Sequence, residues 1–280
     1  MENLTYILGV KIDLRSEEEI LRVISTYLDD EEKKHMIFTP NPEFLVEAER
    51  NSDFLVTLNK SDINLPDGIG LLFASKLLSL KTRFKNTKKL KVIFALWQTF
   101  YTLLSLLVYP NFCRKIIKER ISGSDFFWEL IELAKNQKKR VFLLGAMPGV
   151  ADMVREKILD LYPNMQISGT YAGSPDQSSE DHICHIINKS ESDILMVAYG
   201  APAQEKWIVR NLNKLNTVKV AIGVGGTFDF VAGKVKRAPQ IMRKLGLEWL
   251  YRLLLTPSRL KRIYNATIKF TSLVVKEKLS

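Results

Sequence analysis

The sequence has little of what marks secreted or zinc-binding proteins. Its 280 residues contain two cysteines, Cys113 and Cys184, which cannot build a disulfide framework and lack the spacing of a zinc knuckle. The first residues show no basic region followed by an apolar stretch, so we expect no secretory signal. These absences favour a protein that stays in the reducing cytoplasm.

Two ligand-binding motifs are also missing. No Asp-x-Asp sequence occurs, although this is the usual divalent-metal clamp for a nucleotide sugar. The dinucleotide fingerprint G-x-G-x-x-G is absent, which argues against NAD. His182 and His185 stand three residues apart beside Cys184, with no third ligand nearby. The sequence therefore predicts neither a metal site nor a cofactor.

Positive charge is abundant but concentrated in two stretches. The chain carries 41 basic and 31 acidic residues, a net charge of +10. Residues 81–120 include ten basic residues and one acidic residue, and residues 234–280 include twelve basic and two acidic residues. The anionic partner of these surfaces is expected to be lipid rather than nucleic acid, because the basic residues flank long apolar runs rather than isolated stacking aromatics.

Short β-rich runs alternate with helical patterns along most of the chain. The predicted strands are His35–Phe38, Ile63–Leu65, Arg140–Leu144, Met165–Gly169, Ile194–Ala198 and Val218–Ile222. The predicted helices are Pro42–Arg50, Ser124–Lys135, Val150–Leu161, Ser179–Asn188 and Ala203–Leu212. This alternation predicts an α/β fold with a mainly parallel, Rossmann-like sheet flanked by helices, and such sheets bind ligands at the carboxyl ends of their strands.

The stretch from Val92 to Cys113 contains no charged residue and is basic on both sides. A helix here would be apolar except for a narrow stripe of Gln98, Thr102 and Ser105. Such a helix suits a membrane contact, while burial in the core or in a dimer contact stays open.

Beyond Pro239, basic residues alternate with leucines in helical patterns, as in helices that lie in the headgroup plane of a membrane. An ordinary surface helix is the alternative. We therefore divide the chain into an α/β catalytic domain (residues 1–84 and 119–236), an apolar helical insertion (85–118) and a basic helical appendage (237–280).

Candidate active-site groups follow the predicted strands. Asp67 follows one strand, and Thr39 and Asn41 follow another. A carboxylate at this edge can accept the proton of an attacking hydroxyl group. Glycine-rich turns at residues 145–149 and 223–227 offer backbone N–H groups to a diphosphate. Taken singly, each of these features is also compatible with an ordinary turn.

Several separated blocks, in the right order, carry a resemblance to one family. They are Thr39-Pro40-Asn41-Pro42-Glu43, Leu65-Pro66-Asp67-Gly68-Ile69-Gly70, Arg120-Ile121-Ser122-Gly123-Ser124-Asp125, Gly200-Ala201-Pro202-Ala203-Gln204-Glu205-Lys206-Trp207, Gly223-Val224-Gly225-Gly226-Thr227-Phe228-Asp229, Arg237-Ala238-Pro239, Leu247-Glu248-Trp249-Leu250-Tyr251-Arg252 and Pro257-Ser258-Arg259. From about Leu8 to Arg262 the chain resembles the WecG/TagA/CpsF glycosyltransferases, glycosyltransferase family 26. The resemblance implies a metal-independent, inverting enzyme that moves N-acetylmannosamine, its uronic acid or a hexose from a UDP-sugar to a polyprenyl-diphosphate-linked saccharide, in the synthesis of cell-surface polysaccharide or teichoic acid.

The resemblance also implies roles for individual residues. Asp67 matches the proposed general base, and Thr39 matches a second residue of the same pocket. Arg252, Arg259 and Arg262 match arginines of an appendage that docks on the membrane and stabilises the departing diphosphate. The other predicted substrate-binding residues are Asn41, Arg120, Gly123, Ser124, Asp125, Gly145, Gly200, Pro202, Gln204, Glu205, Gly225 and Gly226.

One segment departs from the family pattern, because residues 85–118 lengthen the connection between two blocks. Both blocks would build one cytoplasmic domain, so we expect an interfacial or re-entrant helix and a peripheral or monotopic protein on the cytoplasmic face of the membrane. Self-association stays open. The competing functions are a nucleotide-dependent oxidoreductase on a Rossmann sheet, which lacks its fingerprint here, and a non-catalytic membrane-binding module, which would not need the Thr39 and Asp67 blocks.

Overall fold

A six-stranded parallel sheet forms the centre of the protein. The computed structural model describes residues 3–83, 87–244, 246 and 248–280, without the side chains of Ile241, Lys244 and Arg252. The strands are β1 (Leu4–Ile7), β2 (Val10–Asp13), β3 (His35–Phe38), β4 (Ile63–Asn64), β5 (Val141–Gly145), β6 (Ile167–Tyr171), β7 (Ile194–Ala198) and β8 (Val220–Gly223). The sheet order is β4-β3-β8-β7-β5-β6, and each neighbouring pair is parallel. Strands β1 and β2 form a separate antiparallel hairpin. The predicted α/β class is confirmed.

Helices cover both faces of the sheet and continue beyond it at the C-terminus. The first set is α1 (Glu17–Tyr27), α2 (Pro42–Arg50), α3 (Ser52–Asn59), α4 (Ile69–Ser79), α5 (Lys88–Val108), α6 (Gly123–Asn136) and α7 (Val150–Leu161). The second set is α8 (Glu180–Ser190), α9 (Ala203–Asn211), α10 (Thr227–Val231), α11 (Gln240–Lys244), α12 (Glu248–Leu255), α13 (Leu260–Tyr264) and α14 (Phe270–Leu279), with a π-helical turn (Asn265–Lys269) joining the last two.

The sheet separates two hydrophobic clusters. Along β7, Leu195 and Val197 pack into one cluster, whereas Ile194 and Met196 pack into the other. This alternation follows from the two-residue period of a strand. Because both faces are covered, the strand is apolar throughout, as is usual for parallel sheets.

Local sequence determines where α2 begins. The side chain of Asn41 accepts hydrogen bonds from the N–H groups of Glu43 (2.9 Å) and Phe44 (3.2 Å). Pro42 occupies the first turn, where its missing N–H costs nothing. The cap therefore holds Asn41 at the carboxyl end of β3, where the candidate site lies.

Helix α5 packs against the rest of the protein through its polar side. Gln98, Thr102 and Ser105, the predicted polar stripe, are buried, whereas the larger apolar side chains of the helix are mostly exposed. Polar contacts run along its length: the Gln98 amide donates to Lys81 O (3.1 Å), and the Ser105 hydroxyl lies 3.4 Å from the Cys113 thiol. Core burial, one of the open alternatives, is therefore wrong. In the described part of the chain α5 is the one helix long and apolar enough to cross a membrane, by length and composition only.

The last helix returns to the body of the protein. Phe270 and Val274 of α14 are buried in the main hydrophobic cluster. The Lys278 ammonium donates hydrogen bonds of 2.8 Å to the carbonyl oxygens of Leu77 and Leu80, at the C-terminal end of α4. The Leu77 carbonyl also accepts a hydrogen bond from the N–H of Leu80 (3.3 Å), and Lys278 adds a charged cap at this end of α4. The final residues of the predicted appendage thus pack against α4 and the main hydrophobic cluster.

Candidate active site

The loops after three neighbouring strands are joined by hydrogen bonds. The Thr39 hydroxyl, after β3, donates to Gly223 O at the end of β8 (3.2 Å). The N–H of Asp67, after β4, donates to Pro40 O (3.1 Å), and the N–H of Ile121 donates to Pro66 O (3.0 Å). These bonds bring the predicted blocks around Thr39, Asp67 and Arg120 together at one edge of the sheet.

A cavity of about 370 Å³ opens at this edge. Its lining includes five predicted site residues, Asn41, Asp67, Arg120, Arg259 and Arg262. The volume lies within the usual range for a small-molecule site. Asp67 and three guanidinium groups therefore line the same pocket, together with the carboxylates of Glu43 and Glu248. This set of groups suits a substrate that carries both a reacting hydroxyl group and phosphate charge.

Part of the cavity wall is apolar. It is formed by Phe73 of α4, Leu103 and Leu106 of α5, Ile263 of α13 and Phe270 of α14. Polar and apolar walls thus meet in one cavity, between the sheet edge and the C-terminal helices. Such a pocket suits an amphipathic ligand better than a free nucleotide.

Arg262 is held at the pocket by Glu43. Its guanidinium binds the carboxylate with Nε 2.8 Å from Oε1 and Nη2 2.9 Å from Oε2. This hydrogen bond raises the pKa of Arg262 above its already high ordinary value. Arg120 takes part in a second link between the site and the C-terminal region, because its Nη2 donates to Arg243 O (3.4 Å).

The carboxylate of Asp125 contacts two arginines, Arg237 and Arg243, from the segment that leads to the C-terminal helices. Its Oδ1 is 2.7 Å from Arg237 Nη2 and 3.4 Å from Arg243 Nη1. The same Arg237 nitrogen donates to the Ser124 hydroxyl (2.9 Å). Ser124 and Asp125, both predicted to bind substrate, therefore hold the segment that leads to the C-terminal helices.

Gln204 joins two glycine turns at the carboxyl edge. Its Oε1 accepts hydrogen bonds from Gly200 N (3.1 Å) and Gly225 N (2.9 Å), after β7 and β8 respectively. Its Nε2 donates to Glu205 Oε1 (2.6 Å), which determines which way the amide faces. A Cβ at Gly223 would lie 2.7 Å from the Gln204 amide nitrogen, so glycine is required there.

Glu205 is completely buried beneath this amide. Burial raises the pKa of its carboxyl group to about 7, and the hydrogen bond from Gln204 offsets this only in part. Its Oε2 has no hydrogen-bond partner among the described residues. A carboxyl in such surroundings favours the protonated form. Glu205 is therefore placed to orient Gln204 rather than to meet a substrate directly.

The remaining predicted residues lie along the same edge without lining the cavity. Thr39 is buried beneath the turn at Gly123, where an added Cβ would be 3.5 Å from its methyl group. At Gly145 a Cβ would come within 2.8 Å of the Ala198 backbone, so close packing of β5 against β7 already explains this glycine. Pro202 precedes α9, and Gly226 precedes α10. The side chain of Arg252 lies outside the described structure.

Several pocket residues were not predicted from the sequence. Glu43 and Glu248 belong to the quoted blocks, so membership of those blocks was a usable signal. Leu103, Leu106 and Phe270 lie far from those blocks in sequence. Only tertiary packing brings them to the pocket. Across the part of the chain that the structure describes, no three His, Cys, Asp or Glu side chains are grouped as metal ligands would be.

Comparison with known proteins identifies the family. The model of the glycosyl transferase WecG/TagA/CpsF family matches residues 5–100 and 104–280. This chain belongs to that family. The enzyme is therefore a glycosyltransferase, and the predicted resemblance is confirmed. The match covers most of the predicted insertion and leaves out only residues 101–103, which lie within α5.

Relatives with named activities cover nearly the whole chain. An N-acetylglucosaminyldiphosphoundecaprenol N-acetyl-beta-D-mannosaminyltransferase of Bacillus subtilis (strain 168) is 33% identical over 261 residues, 91% of this chain and 87% of the relative. The protein of the same name from Bacillus spizizenii is 32% identical, over 91% of this chain and 84% of its own. A third, from Staphylococcus aureus (strain MRSA252), is 28% identical, with 94% and 89% covered.

Proposed function

We propose that this glycosyltransferase moves an N-acetylmannosaminyl group from its UDP-activated form to N-acetylglucosamine on a polyprenyl diphosphate. The observation that carries the proposal is the pocket that is lined by Asp67, three arginines and apolar side chains together. A lipid-linked sugar diphosphate combines the matching groups, namely a sugar, two phosphates and a hydrocarbon chain. The names of the relatives support the same acceptor and the same transferred sugar.

Asp67 is the proposed general base. Inversion requires a single in-line displacement, in which a hydroxyl oxygen of the acceptor attacks the anomeric carbon as the bond to UDP breaks. The Asp67 carboxylate accepts the proton of that hydroxyl, and UDP departs with the electrons of the broken bond. Hydrogen bonding of the Asp67 backbone to Pro40 holds this carboxylate at the sheet edge. A positioned base of this kind contributes roughly a hundredfold or more to the rate.

Arginines and backbone N–H groups are proposed to receive the leaving diphosphate. Arg120, Arg259 and Arg262 line the pocket, and a guanidinium group can donate two parallel hydrogen bonds to phosphate oxygens. The two turns joined by Gln204 lie on the same edge of the sheet and suit the nucleotide. Fixed positive charge at the leaving group stabilises the transition state without reorganisation of solvent.

The enzyme is proposed to work on the cytoplasmic face of a membrane. The exposed apolar side chains of α5 form a band. Lys88 and Lys89 lie in the first turn of the helix, and Arg114 and Lys115 lie in the short 3-10 helix that follows it. Polar contacts with the protein along one side exclude lipid from that side, which favours a monotopic arrangement over a spanning one. Since the acceptor is anchored in lipid, a pocket beside such a band can receive it without extracting it from the membrane.

Product analysis with a panel of UDP-sugars tests the function. Purified enzyme would be given UDP-N-acetylmannosamine, UDP-N-acetylglucosamine, UDP-glucose or UDP-galactose with a short-chain N-acetylglucosaminyl-diphosphate lipid. We expect mass spectrometry to find a disaccharide-linked lipid with UDP-N-acetylmannosamine and far less product with the others. Preferred transfer of another sugar would refute the proposed donor, and no transfer from any of them would refute the proposed reaction.

A further inference from the structure

A seam between α5 and the C-terminal helices connects the pocket to the outer surface. A second, open groove of about 510 Å³ runs along this seam. The pocket and the groove share three wall residues, Leu103, Thr267 and Thr271. The groove then continues outward between Leu96 of α5 and Ile268 of the π-helical turn. The pocket and the groove are therefore adjacent, and the groove includes the exposed side chains of Leu96 and Ile268.

The groove is built for an uncharged, apolar occupant. None of the residues that line it is charged. Two of its three threonine hydroxyls are already used within their own helices, since Thr99 donates to Ala95 O (2.8 Å) and Thr267 donates to Ile263 O (2.7 Å). A polar ligand would find few free partners here, and an apolar one would displace water from leucine and isoleucine.

We propose that this groove holds the isoprene units of the acceptor that lie nearest its diphosphate. The inference rests on the proposed function, because the acceptor must be lipid-linked. It goes further by assigning the tail a site on the protein rather than leaving it in the bilayer. The shared walls support the assignment, because the pocket that contains Asp67 and the arginines meets the uncharged groove at Leu103, Thr267 and Thr271.

A polyprenyl tail fits this position better than a bilayer or a second copy of the chain. The groove and the pocket share three wall residues, so an occupant of the groove lies next to the pocket that contains the arginines. The side chains that face away from the groove, such as Trp97 and Leu104, form the surface available to bulk lipid. Substitution of two leucines on α5 can therefore test the groove and the lipid-facing surface separately, because Leu96 lines the groove and Leu104 does not.

Chain-length dependence in detergent-free solution tests the proposal. The acceptors would be N-acetylglucosaminyl diphosphates that carry a prenyl or a geranylgeranyl group, and the quantity compared is the ratio of their kcat/KM values. In the wild type we expect the ratio to favour geranylgeranyl. Leu96→Asp and Ile268→Asp place a carboxylate against the tail and should lower the ratio roughly tenfold or more, since each buried methylene contributes about 0.8 kcal/mol.

Leu104→Asp is the matched control, because Leu96 and Leu104 are exposed by 54% and 46% on the same helix. We expect it to leave the ratio at the wild-type value. An equal fall in all three variants would mean general contact with aggregated lipid, and no fall in the groove variants would mean an unbound tail. Either result overturns the proposal. Thermal melting would establish that each variant is folded.

Binding of geranylgeranyl diphosphate, measured by calorimetry, separates this inference from the proposed reaction. The compound carries the tail and the diphosphate but no sugar, so it requires no transfer activity. We expect wild-type enzyme to bind it and Leu96→Asp to weaken binding roughly tenfold, with Leu104→Asp unaffected. Failure of glycosyl transfer together with this binding pattern would refute the reaction and retain the groove. Glycosyl transfer without this binding pattern would refute the groove and retain the proposed reaction.

Discussion

The carboxylate of Glu43 and the guanidinium of Arg262, 219 residues apart in the chain, form a two-point ion pair at the mouth of the pocket. The pair connects the first turn of α2 with α13. Its arginine is more than half exposed, so its contribution to the free energy of unfolding is expected to be only about 0–1 kcal/mol. Its consequence is positional: Arg262 is kept where the diphosphate of a substrate would lie.

Replacing Arg262 by methionine should therefore affect catalysis more than stability. We expect Arg262→Met to lower kcat/KM at least about tenfold, because a charge-assisted contact with phosphate is lost. The free energy of unfolding should change by no more than about 1 kcal/mol. Steady-state kinetics and denaturant titration measure the two effects. Lys261→Met, which removes a neighbouring exposed cation outside the pocket, is the control, and an equal loss in both variants would refute a specific role for Arg262.

Exposed side chains of α5 should anchor the protein to vesicles in a salt-resistant way. We expect Phe100→Ser/Leu107→Ser/Val108→Ser to abolish the part of vesicle binding that persists in high salt, since burial of each apolar side chain contributes about 1.5–3 kcal/mol and is not screened. Co-sedimentation with neutral and anionic vesicles measures this. These substitutions leave the buried polar side of α5 intact, whereas deletion of the helix would also remove its contacts with the rest of the protein.

The matched control changes exposed apolar residues elsewhere on the surface. Val56, Met147 and Leu161 are 55–72% exposed and lie on or beside α3 and α7. Their replacement by serine should leave binding unchanged. If the α5 variant still bound in high salt and instead changed from dimer to monomer in sedimentation velocity, α5 would be a subunit contact and the membrane assignment would be wrong.

The buried carboxyl of Glu205 should make stability depend on pH. Its pKa rises from 4.5 to about 7 on folding, so between these values the folded state holds more protons than the unfolded state. The resulting stability is complete below about pH 4.5 and is lost as the pH rises through 7. Glu205→Gln removes this loss, so the variant should gain stability relative to wild type across the window, by up to about 3 kcal/mol. Denaturant titrations at several pH values measure the difference, and a pH-independent difference would contradict it.

Removal of divalent metal should leave activity intact. The sequence has no Asp-x-Asp clamp, and three arginines line the pocket where a nucleotide-sugar diphosphate would be neutralised. We expect turnover in excess EDTA to match turnover in added Mg²⁺ or Mn²⁺. A chelated enzyme that is inactive and is restored by either ion would contradict a metal-independent mechanism.

Much of the central sheet was predictable because its signals are local. Predicted bounds of β3, β7, α2 and α7 agree with the structure, since each has an apolar run or a cap within a few residues of its ends. Strand β6 begins two residues later than predicted. Helix α4 was not predicted because it is apolar on nearly all sides and so lacks amphipathic periodicity. The β1–β2 hairpin turns at Leu8 and Gly9, both with positive φ, and a leucine gives no such signal.

The candidate site was predictable where motifs follow strands and unpredictable where distant segments meet. Asp67, Asn41 and Arg120 follow from the blocks quoted in the sequence, and all three line the pocket. The apolar walls come from α5 and α14, more than a hundred residues apart. The pair Glu43–Arg262 and the cap of α4 by Lys278 are also long-range. Residue type alone cannot specify such partners, because any nearby carboxylate or carbonyl would satisfy the same cation.

The most direct test of the central claim is the rate of sugar transfer by Asp67→Asn in a single turnover, with Glu248→Gln as a second carboxylate of the same pocket. The amide of asparagine is nearly isosteric with the carboxylate but does not accept the proton. With UDP-N-acetylmannosamine and the short-chain acceptor, we predict that Asp67→Asn slows transfer by a hundredfold or more while UDP still raises its melting temperature, and that Glu248→Gln stays within about tenfold of wild type. Near-normal transfer by Asp67→Asn, or a comparable loss in Glu248→Gln alone, would contradict the assignment of Asp67 as the base.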